Sequence, residues 1–301
     1  GHARGCLHLA DRPGAARMNP SRLDDLRADL RAFGAAGMKE WRLLRRYPSL
    51  FIGFLFWPIA LPLAYVFQAQ GYSGGQPAAL DAFAQRTGTT EVAGFLFLGW
   101  AAYMWISMIL WGPGTALRTE QVRGSLEALF MTPVSRLVIL FGPVVSQIVW
   151  AIWMFAVVGG VLVVFFRVPI GLIEALRALG IILVAVPALY GLGALFAAVV
   201  LRFGEVSAMV QTVRGVFTVF CGMTFPIVIL PVWAKAVALS LPPTYLIGDL
   251  RAVLLKGSDF VSLIPELATL AAMGLALCGF AIVAFRRTER FARQGGSLAQ
   301  Y

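Results

Sequence analysis

Six long apolar runs alternate with short polar segments along the chain. A helix that crosses the roughly 30 Å hydrocarbon core of a bilayer needs about 20 apolar residues, and each run reaches that length. The runs cover Ser49–Phe67, Val92–Trp111, Leu137–Phe166, Ala178–Leu201, Gly215–Trp233 and Pro265–Phe285. No charged side chain lies in the interior of a run, and lipid offers the backbone no hydrogen-bond partner. The pattern therefore predicts an all-α integral membrane protein with six transmembrane helices. Kinks or short unwound stretches are expected at the prolines inside the runs, which are Pro58, Pro62, Pro143, Pro187, Pro226 and Pro231.

Composition and charge agree with this class of protein. Apolar residues make up 59% of the 301 residues and charged residues 13%, against about 45–50% and 25% in soluble domains. So few charges cannot cover so much apolar surface in water, which excludes a soluble enzyme and a disordered chain. The net charge of +10 is spread over the segments that flank the runs, so we expect no nucleic-acid partner. With histidines only at His2 and His8, we expect no metal or cofactor bound by this chain.

Lysine and arginine are distributed unevenly between the two sets of connecting segments. Segments 1–48, 118–136, 202–214 and 286–301 hold 19 of the 25 basic residues, and the alternate segments hold 6. Basic residues are enriched on the cytoplasmic side of membrane proteins. The distribution predicts that both termini are cytoplasmic and that segments 68–91, 167–177 and 234–264 are outside.

The chain divides into a membrane domain and two cytoplasmic flanks. Residues 1–48 carry apolar residues at helical spacing among basic ones, which predicts interfacial amphipathic helices on anionic lipid, with a solvated helix as the alternative. Residues 49–285 form the six-span domain and residues 286–301 a basic tail. Because the first apolar run begins at Ser49, we expect no cleavable signal peptide, and Met18 is a candidate native start.

The cytoplasmic segment between the second and third runs predicts an amphipathic helix. Thr119 is a suitable N-cap, and apolar residues from Val122 to Phe130 share one face. Thr132 and Pro133 end the helix, because the residue before a proline disfavours the helical conformation. On these grounds alone the helix is either an interfacial linker or a docking element.

The same segment resembles the cytoplasmic loop of permeases of type-2 ABC transporters. That loop is similar to Glu-x-x-x-Gly-Ser/Thr-Leu-Glu-x-Leu-x-x-Thr-Pro-Val-Ser-Arg. The matching residues here include Glu120, Gly124, Ser125, Leu126, Glu127, Leu129, Thr132, Pro133 and Arg136. The resemblance implies a coupling helix that seats in a groove of a separate ATP-binding subunit. It also implies a permease dimer with twelve spans and a translocation path between the two chains.

A second resemblance to the family lies before the last run. The stretch from Leu241 to Arg251 is similar to the family's outer segment, in which a proline–aromatic turn precedes a short helix with an arginine. The resemblance assigns an outer gate segment with Pro242, Pro243, Tyr245 and Arg251.

The fifth run offers candidates for contact with a substrate. Phe217, Phe220 and Phe225 could stack against an amphipathic molecule in the path, although aromatic residues at this density also pack or face lipid. Glu205 and Arg214 are expected on the cytoplasmic loop before this run, either as helix-end charges or at the entrance to the path.

The sequence also limits how transport could be energised. A Walker A loop needs Gly-Lys-Ser/Thr, and none of the three lysines follows a glycine, so this chain is not the ATPase; ATP and magnesium belong on the partner subunit. We therefore expect the permease of an ATP-driven exporter in a bacterial cytoplasmic membrane, moving a hydrophobic or amphipathic drug-like molecule or lipid. Polysaccharide export is the alternative within the family. A secondary transporter, a membrane scaffold and a membrane enzyme are the alternatives outside it.

Overall fold

The computed structural model describes residues 48–74, 76–122, 144–203 and 206–294, together with Gly34, Met38, Arg42 and Arg46. Across these residues the chain forms nine α-helices and two 3₁₀ turns, and no strand. The helices are α1 (Pro48–Ser73), α2 (Pro77–Thr87), α3 (Val92–Val122), α4 (Val144–Phe166), α5 (Leu172–Phe203), α6 (Val206–Phe220), α7 (Val232–Leu239), α8 (Pro242–Lys256) and α9 (Ile264–Gln294). The all-helical fold class is confirmed for this part of the chain.

Four of the predicted spans coincide with helices that are long and apolar enough to cross a membrane. Among the described residues these stretches are Val92–Gly112, Gln147–Phe166, Leu172–Val200 and Phe260–Ala284. The first run lies in α1, a 26-residue helix that contains Pro58 and Pro62 without interruption. The count of six spans and the boundaries of the flanks remain predictions, as do the interfacial helices, because nearly all of residues 1–47 lie outside the described residues.

The fifth predicted span is not one continuous helix: the unwound stretch expected at Pro226 and Pro231 is present, but it begins earlier than expected, directly after Phe220. Helix α6 ends at Phe220, and the chain continues as an irregular stretch, a 3₁₀ turn over Ile227–Ile229 and then α7. Gly222 adopts a positive φ of 69°, which an L side chain rarely tolerates. Pro226 and Pro231 then precede the 3₁₀ turn and α7, each in an extended conformation. The apolar run from Gly215 to Trp233 is therefore divided by backbone chemistry that hydrophobicity does not report.

Helix α3 lies at the centre of the bundle and packs against α1, α4, α5, α6 and α8. Most of its side chains from Ala93 to Leu110 are buried, including the fully buried Phe97, Trp105 and Ile109, while Tyr103, Met104 and Met108 are half-buried. A helix that is apolar all round belongs in such a position. The other helices that contact α3 surround it, so α3 contributes residues to more than one of the candidate sites.

Helices α5 and α9 approach each other closely along their length. A Cβ atom on Gly191 of α5 would lie 2.9 Å from the backbone nitrogen of Cys278, and one on Gly274 of α9 would lie 3.0 Å from that of Ala188. The Cys278 thiol also lies 3.2 Å from the Pro187 carbonyl oxygen, to which it can donate a hydrogen bond. Small residues at these points permit backbone contact between helices in a membrane, where apolar burial alone does not drive association.

Candidate functional site

The predicted coupling helix lies almost wholly outside the described residues. Glu120 falls in the last turn of α3, whose helix continues to Val122. The remaining predicted coupling residues lie outside the described part of the chain: Gly124, Ser125, Leu126, Glu127, Leu129, Thr132, Pro133 and Arg136. Their role in coupling stays a prediction.

Helix α8, in the predicted outer segment of residues 234–264, begins with two prolines. Pro242 and Pro243 occupy the first two positions of α8, where the missing N–H groups would have no helical partner in any case. The expected proline–aromatic turn is therefore corrected: the prolines and Tyr245 lie inside the helix. Two side chains secure its start, because Thr244 donates a 2.6 Å hydrogen bond to the Ala238 carbonyl and the Tyr245 hydroxyl donates one of 3.0 Å to the Leu239 carbonyl.

Arg251 of α8 joins three parts of the chain that are distant in sequence. Its Nε and Nη2 donate to the Phe95 carbonyl of α3, at 3.1 and 2.8 Å. Its Nη1 and Nη2 donate to the Gly222 and Met223 carbonyls, at 2.7 Å each, in the irregular stretch after α6. This arrangement, the Arg251 clamp, satisfies carbonyl groups that the break in the fifth run leaves without helical partners.

The surroundings of the Arg251 clamp are apolar and tightly packed. The side chain is 7% exposed, and its guanidinium carbon lies 3.4 Å from the centre of the Phe95 ring, a close cation–π contact. Burial lowers the pKa of Arg251 to about 9, so the guanidinium is charged at neutral pH. A Cβ atom on Gly99 would overlap the Met223 carbonyl oxygen, so only glycine fits where the irregular stretch crosses α3.

Asp249, two residues before Arg251, is a buried carboxyl that the sequence analysis did not single out. It is 3% exposed, and its Oδ2 has no hydrogen-bond partner among the described residues. Burial, with a smaller contribution from the charge of Glu266, raises the pKa of Asp249 to about 7. The sequence does not indicate that Asp249 is buried, because its burial depends on the packing of α8 against α5, α3 and α9.

The three candidate path phenylalanines lie in different surroundings. Phe217 is 2% exposed and belongs to the core of the same chain. Phe220 contacts Trp233 edge to face with ring centres 6.0 Å apart. Phe225 is half-buried in the irregular stretch after α6. The structure does not bring the three rings together on one surface.

Arg214 lies within helix α6 and not on the loop before it, which corrects the expected placement. Helical spacing puts it on one side of α6 with Ser207, Gln211 and Thr218, and we call these four residues the polar stripe. Arg214 Nη1 donates to the Gln211 side-chain oxygen at 3.3 Å. Glu205 lies outside the described residues.

Aromatic rings of α3 and α1 contact the polar stripe at Arg214 and then contact one another. The Arg214 guanidinium carbon lies 5.0 Å from the centre of the Tyr103 ring. Tyr103 contacts Trp100 edge to face at 5.1 Å, and Trp100 stacks on Tyr65 at 5.3 Å. A cation and three adjoining aromatic rings thus form one connected group on three helices, which reaches the surface at Tyr65 and Tyr103, while Trp100 between them is 8% exposed.

The described residues contain no group of three or more His, Cys, Asp or Glu side chains that could hold a metal ion. A search of curated proteins found no match to the chain. A family model described as ABC-2 type transporter matches residues 31–255, three quarters of the chain. The chain belongs to this family. It is thus a transmembrane permease component of an ABC transporter, a class that in general associates with an ATP-binding subunit and another permease chain.

The family match covers both candidate sites of this ABC-2 permease. The match begins within the N-terminal segment and ends in the last turn of α8, so it spans both the predicted coupling helix and the Arg251 clamp. Sequence reasoning singled out Arg251 but not its carbonyl acceptors, of which the nearest in sequence is 28 residues away. Arg214 was singled out but placed on a loop, because the hydrophobic run begins only one residue later.

Proposed function

We propose that the chain is the permease subunit of an ATP-driven exporter, which forms the translocation path as a dimer with a second permease chain. The observation that carries this proposal is the ABC-2 family match over residues 31–255. ATP and magnesium are held by a separate ATP-binding subunit, which docks on the coupling helix of residues 120–132. The excess of basic residues in alternate segments supports a bacterial cytoplasmic membrane location with both termini cytoplasmic.

The substrate is a hydrophobic or amphipathic small molecule, such as a drug-like compound or a lipid. The aromatic surface formed by Tyr65, Trp100 and Tyr103 supports this class, because stacked rings bind apolar and planar groups. A polysaccharide is the alternative cargo, and comparing dye efflux with polysaccharide release in reconstituted vesicles separates the two.

The outer segment forms the outer gate, with the Arg251 clamp as its anchor. Arg251 attaches α8 to α3 and to the irregular stretch that follows α6, so a displacement of α6 is transmitted directly to α8. Pro242, Pro243 and Tyr245 fix the start of α8 against α7. A cross-link between α8 and α3 should therefore block transport while leaving ATP binding intact.

The coupling role is tested by reversing one charge on the predicted docking helix. Glu127→Arg should abolish stimulation of ATP hydrolysis by the permease, because a polar contact with the ATP-binding subunit becomes a repulsive one. The matched control is Glu91→Arg, which reverses a charge just before α3 on the opposite side of the membrane. Unchanged stimulation in Glu127→Arg, with normal membrane insertion of both variants, would contradict the coupling role.

A further inference from the structure

The polar stripe of α6 lies at the edge of the face that packs against the rest of the chain. Ser207 and Gln211 are exposed and Arg214 and Thr218 are half-buried, whereas Val210 and Phe217, one helical turn before and after Arg214, are buried. A stripe that carries an arginine and a glutamine is costly against lipid. It therefore faces either water or another polar surface in the assembled membrane protein.

The charge of this stripe lies near the middle of a candidate span. The Arg214 guanidinium stacks on Tyr103, which is 11 residues after Val92 and 9 residues before Gly112, the two ends of the span in α3. At 1.5 Å per residue these separations are about 16 and 14 Å. Ionisable side chains at such a depth almost always line a bundle interior or a substrate pathway.

No carboxylate among the described residues forms an ion pair with Arg214. Its Nε is buried without a hydrogen-bond partner among these residues. The sequence has no acidic residue in the interior of any apolar run; the nearest, Glu266, is at the start of the sixth. A second copy of this chain likewise carries no acidic residue in the interior of an apolar run.

The aromatic rings beside Arg214 define the rest of the surface. Tyr103, Trp100 and Tyr65 form a continuous row from α3 to α1, with neighbouring ring centres 5.1 and 5.3 Å apart. Gln211 adds a neutral hydrogen-bonding group next to the guanidinium. A single cation at one end of an apolar aromatic row matches a molecule with an anionic head and an apolar body.

We propose that Arg214 and Gln211 of α6, with the partly exposed Tyr103 of α3, form a binding site for the anionic group of an amphipathic substrate. The anionic group is a carboxylate, sulfate or phosphate, whose oxygens accept hydrogen bonds from the guanidinium. This inference rests on the proposed exporter function and narrows its substrate class from amphipathic to anionic amphipathic molecules. In a dimer of identical chains, each copy contributes one such site to the path.

The test compares two probes that differ only in charge. The complete transporter is reconstituted in nanodiscs of neutral phosphatidylcholine, and binding of dansyl-aminoundecanoic acid and of its methyl ester is measured by energy transfer from tryptophan. A charge-assisted hydrogen bond contributes about 1.5–3 kcal/mol, so we expect the acid to bind about 10- to 150-fold more tightly than the ester. Arg214→Gln should abolish this preference and leave ester affinity unchanged, whereas Arg214→Lys should retain part of it.

The controls separate this site from the exporter function as a whole. Arg177→Gln removes an arginine whose partner is the exposed Asp259, and it should keep the full preference for the acid. Equal affinity of the unmodified transporter for acid and ester would overturn the inference, and so would an unchanged preference in Arg214→Gln. Binding is measured without ATP, so a clear acid preference without ATP-dependent transport would support the site and contradict the exporter function. ATP-dependent transport of the ester but not of the acid would support the exporter function and contradict the site.

Discussion

Replacing Arg251 tests whether the break in the fifth run is held together by one side chain. In Arg251→Met the guanidinium is lost, while an unbranched side chain still fills part of the space. The Gly222 and Met223 carbonyls then lose their donor, and no backbone N–H among the described residues replaces it. Each buried carbonyl left unpaired costs about 1–3 kcal/mol, so we expect a loss of about 4 kcal/mol in the free energy of unfolding.

Two further substitutions calibrate this effect. Arg251→Lys keeps the charge but not the planar fork of donors, so it should lose about half as much stability. Arg177→Met removes an arginine whose ion pair with Asp259 is solvent-exposed, and such pairs contribute about 0–1 kcal/mol.

The assay is reversible unfolding in mixed micelles with increasing dodecyl sulfate, followed by circular dichroism and tryptophan fluorescence. The order of stability should be wild type and Arg177→Met together, then Arg251→Lys, then Arg251→Met. If Arg251→Met unfolds at the same detergent fraction as Arg177→Met, the clamp does not stabilise the fold and the reasoning is refuted.

The structure supports three further predictions, on packing, on pH dependence and on topology. Gly99→Ala should lower the thermal midpoint by several degrees, because its methyl group overlaps the Met223 carbonyl oxygen, whereas Gly279→Ala has open space and should not. Raising the pH from 4 to 8 should destabilise the protein by up to about 4 kcal/mol through Asp249, whose pKa of about 7 in the fold lies above its ordinary 3.8; Asp249→Asn should remove this dependence in pH-resolved melts. A cysteine at Tyr72, which is 84% exposed, should react with an impermeant maleimide from outside, and one at Arg290 only from inside.

The sign of the Asp249 effect follows from proton binding. Between about pH 4 and pH 7 the carboxyl is ionised in the unfolded chain but still protonated in the fold, so the fold binds more protons and loses stability as the pH rises through this window. A melt that is independent of pH in both proteins would contradict the buried carboxyl. Equal thermal midpoints of Gly99→Ala and Gly279→Ala would contradict the close packing at Gly99. Labelling of the Tyr72 cysteine from inside and of the Arg290 cysteine from outside would contradict the topology.

Long, uniform apolar runs made most of the helices predictable from sequence. The runs that became α3, α5 and α9 have no charged interior residue and no consecutive helix breakers, so hydrophobicity and helix formation agree over their whole length. Pro187 lies inside α5 without ending it; prolines are tolerated in membrane helices, where neighbouring groups can satisfy the freed carbonyl.

The prolines of the fifth run indicated an unwound stretch, but its extent was not predictable, because hydrophobicity and backbone conformation disagree there. The residues after Phe220 are apolar, but Gly222 takes a positive φ and two prolines follow. The carbonyls thereby released are satisfied by Arg251, which comes from a later helix. Such long-range compensation cannot be deduced from local sequence, because nothing near Gly222 indicates its donor.

The candidate sites show the same division between local and long-range information. The position of Arg251 on a helix after two prolines was predictable, and its three acceptors were not. Arg214 is a charge directly before an apolar run, which is typical of a helix end. Its actual depth follows from α6 beginning at Val206 and packing on α3, a tertiary contact.

Native mass spectrometry of the complex, extracted gently from the membranes of its own host, tests the central claim most directly. The permease account predicts two permease chains together with two copies of a soluble P-loop ATPase, and loss of the ATPase in Glu127→Arg but not in Glu91→Arg. A permease recovered alone or only self-associated, under conditions that preserve other ABC complexes, would contradict it.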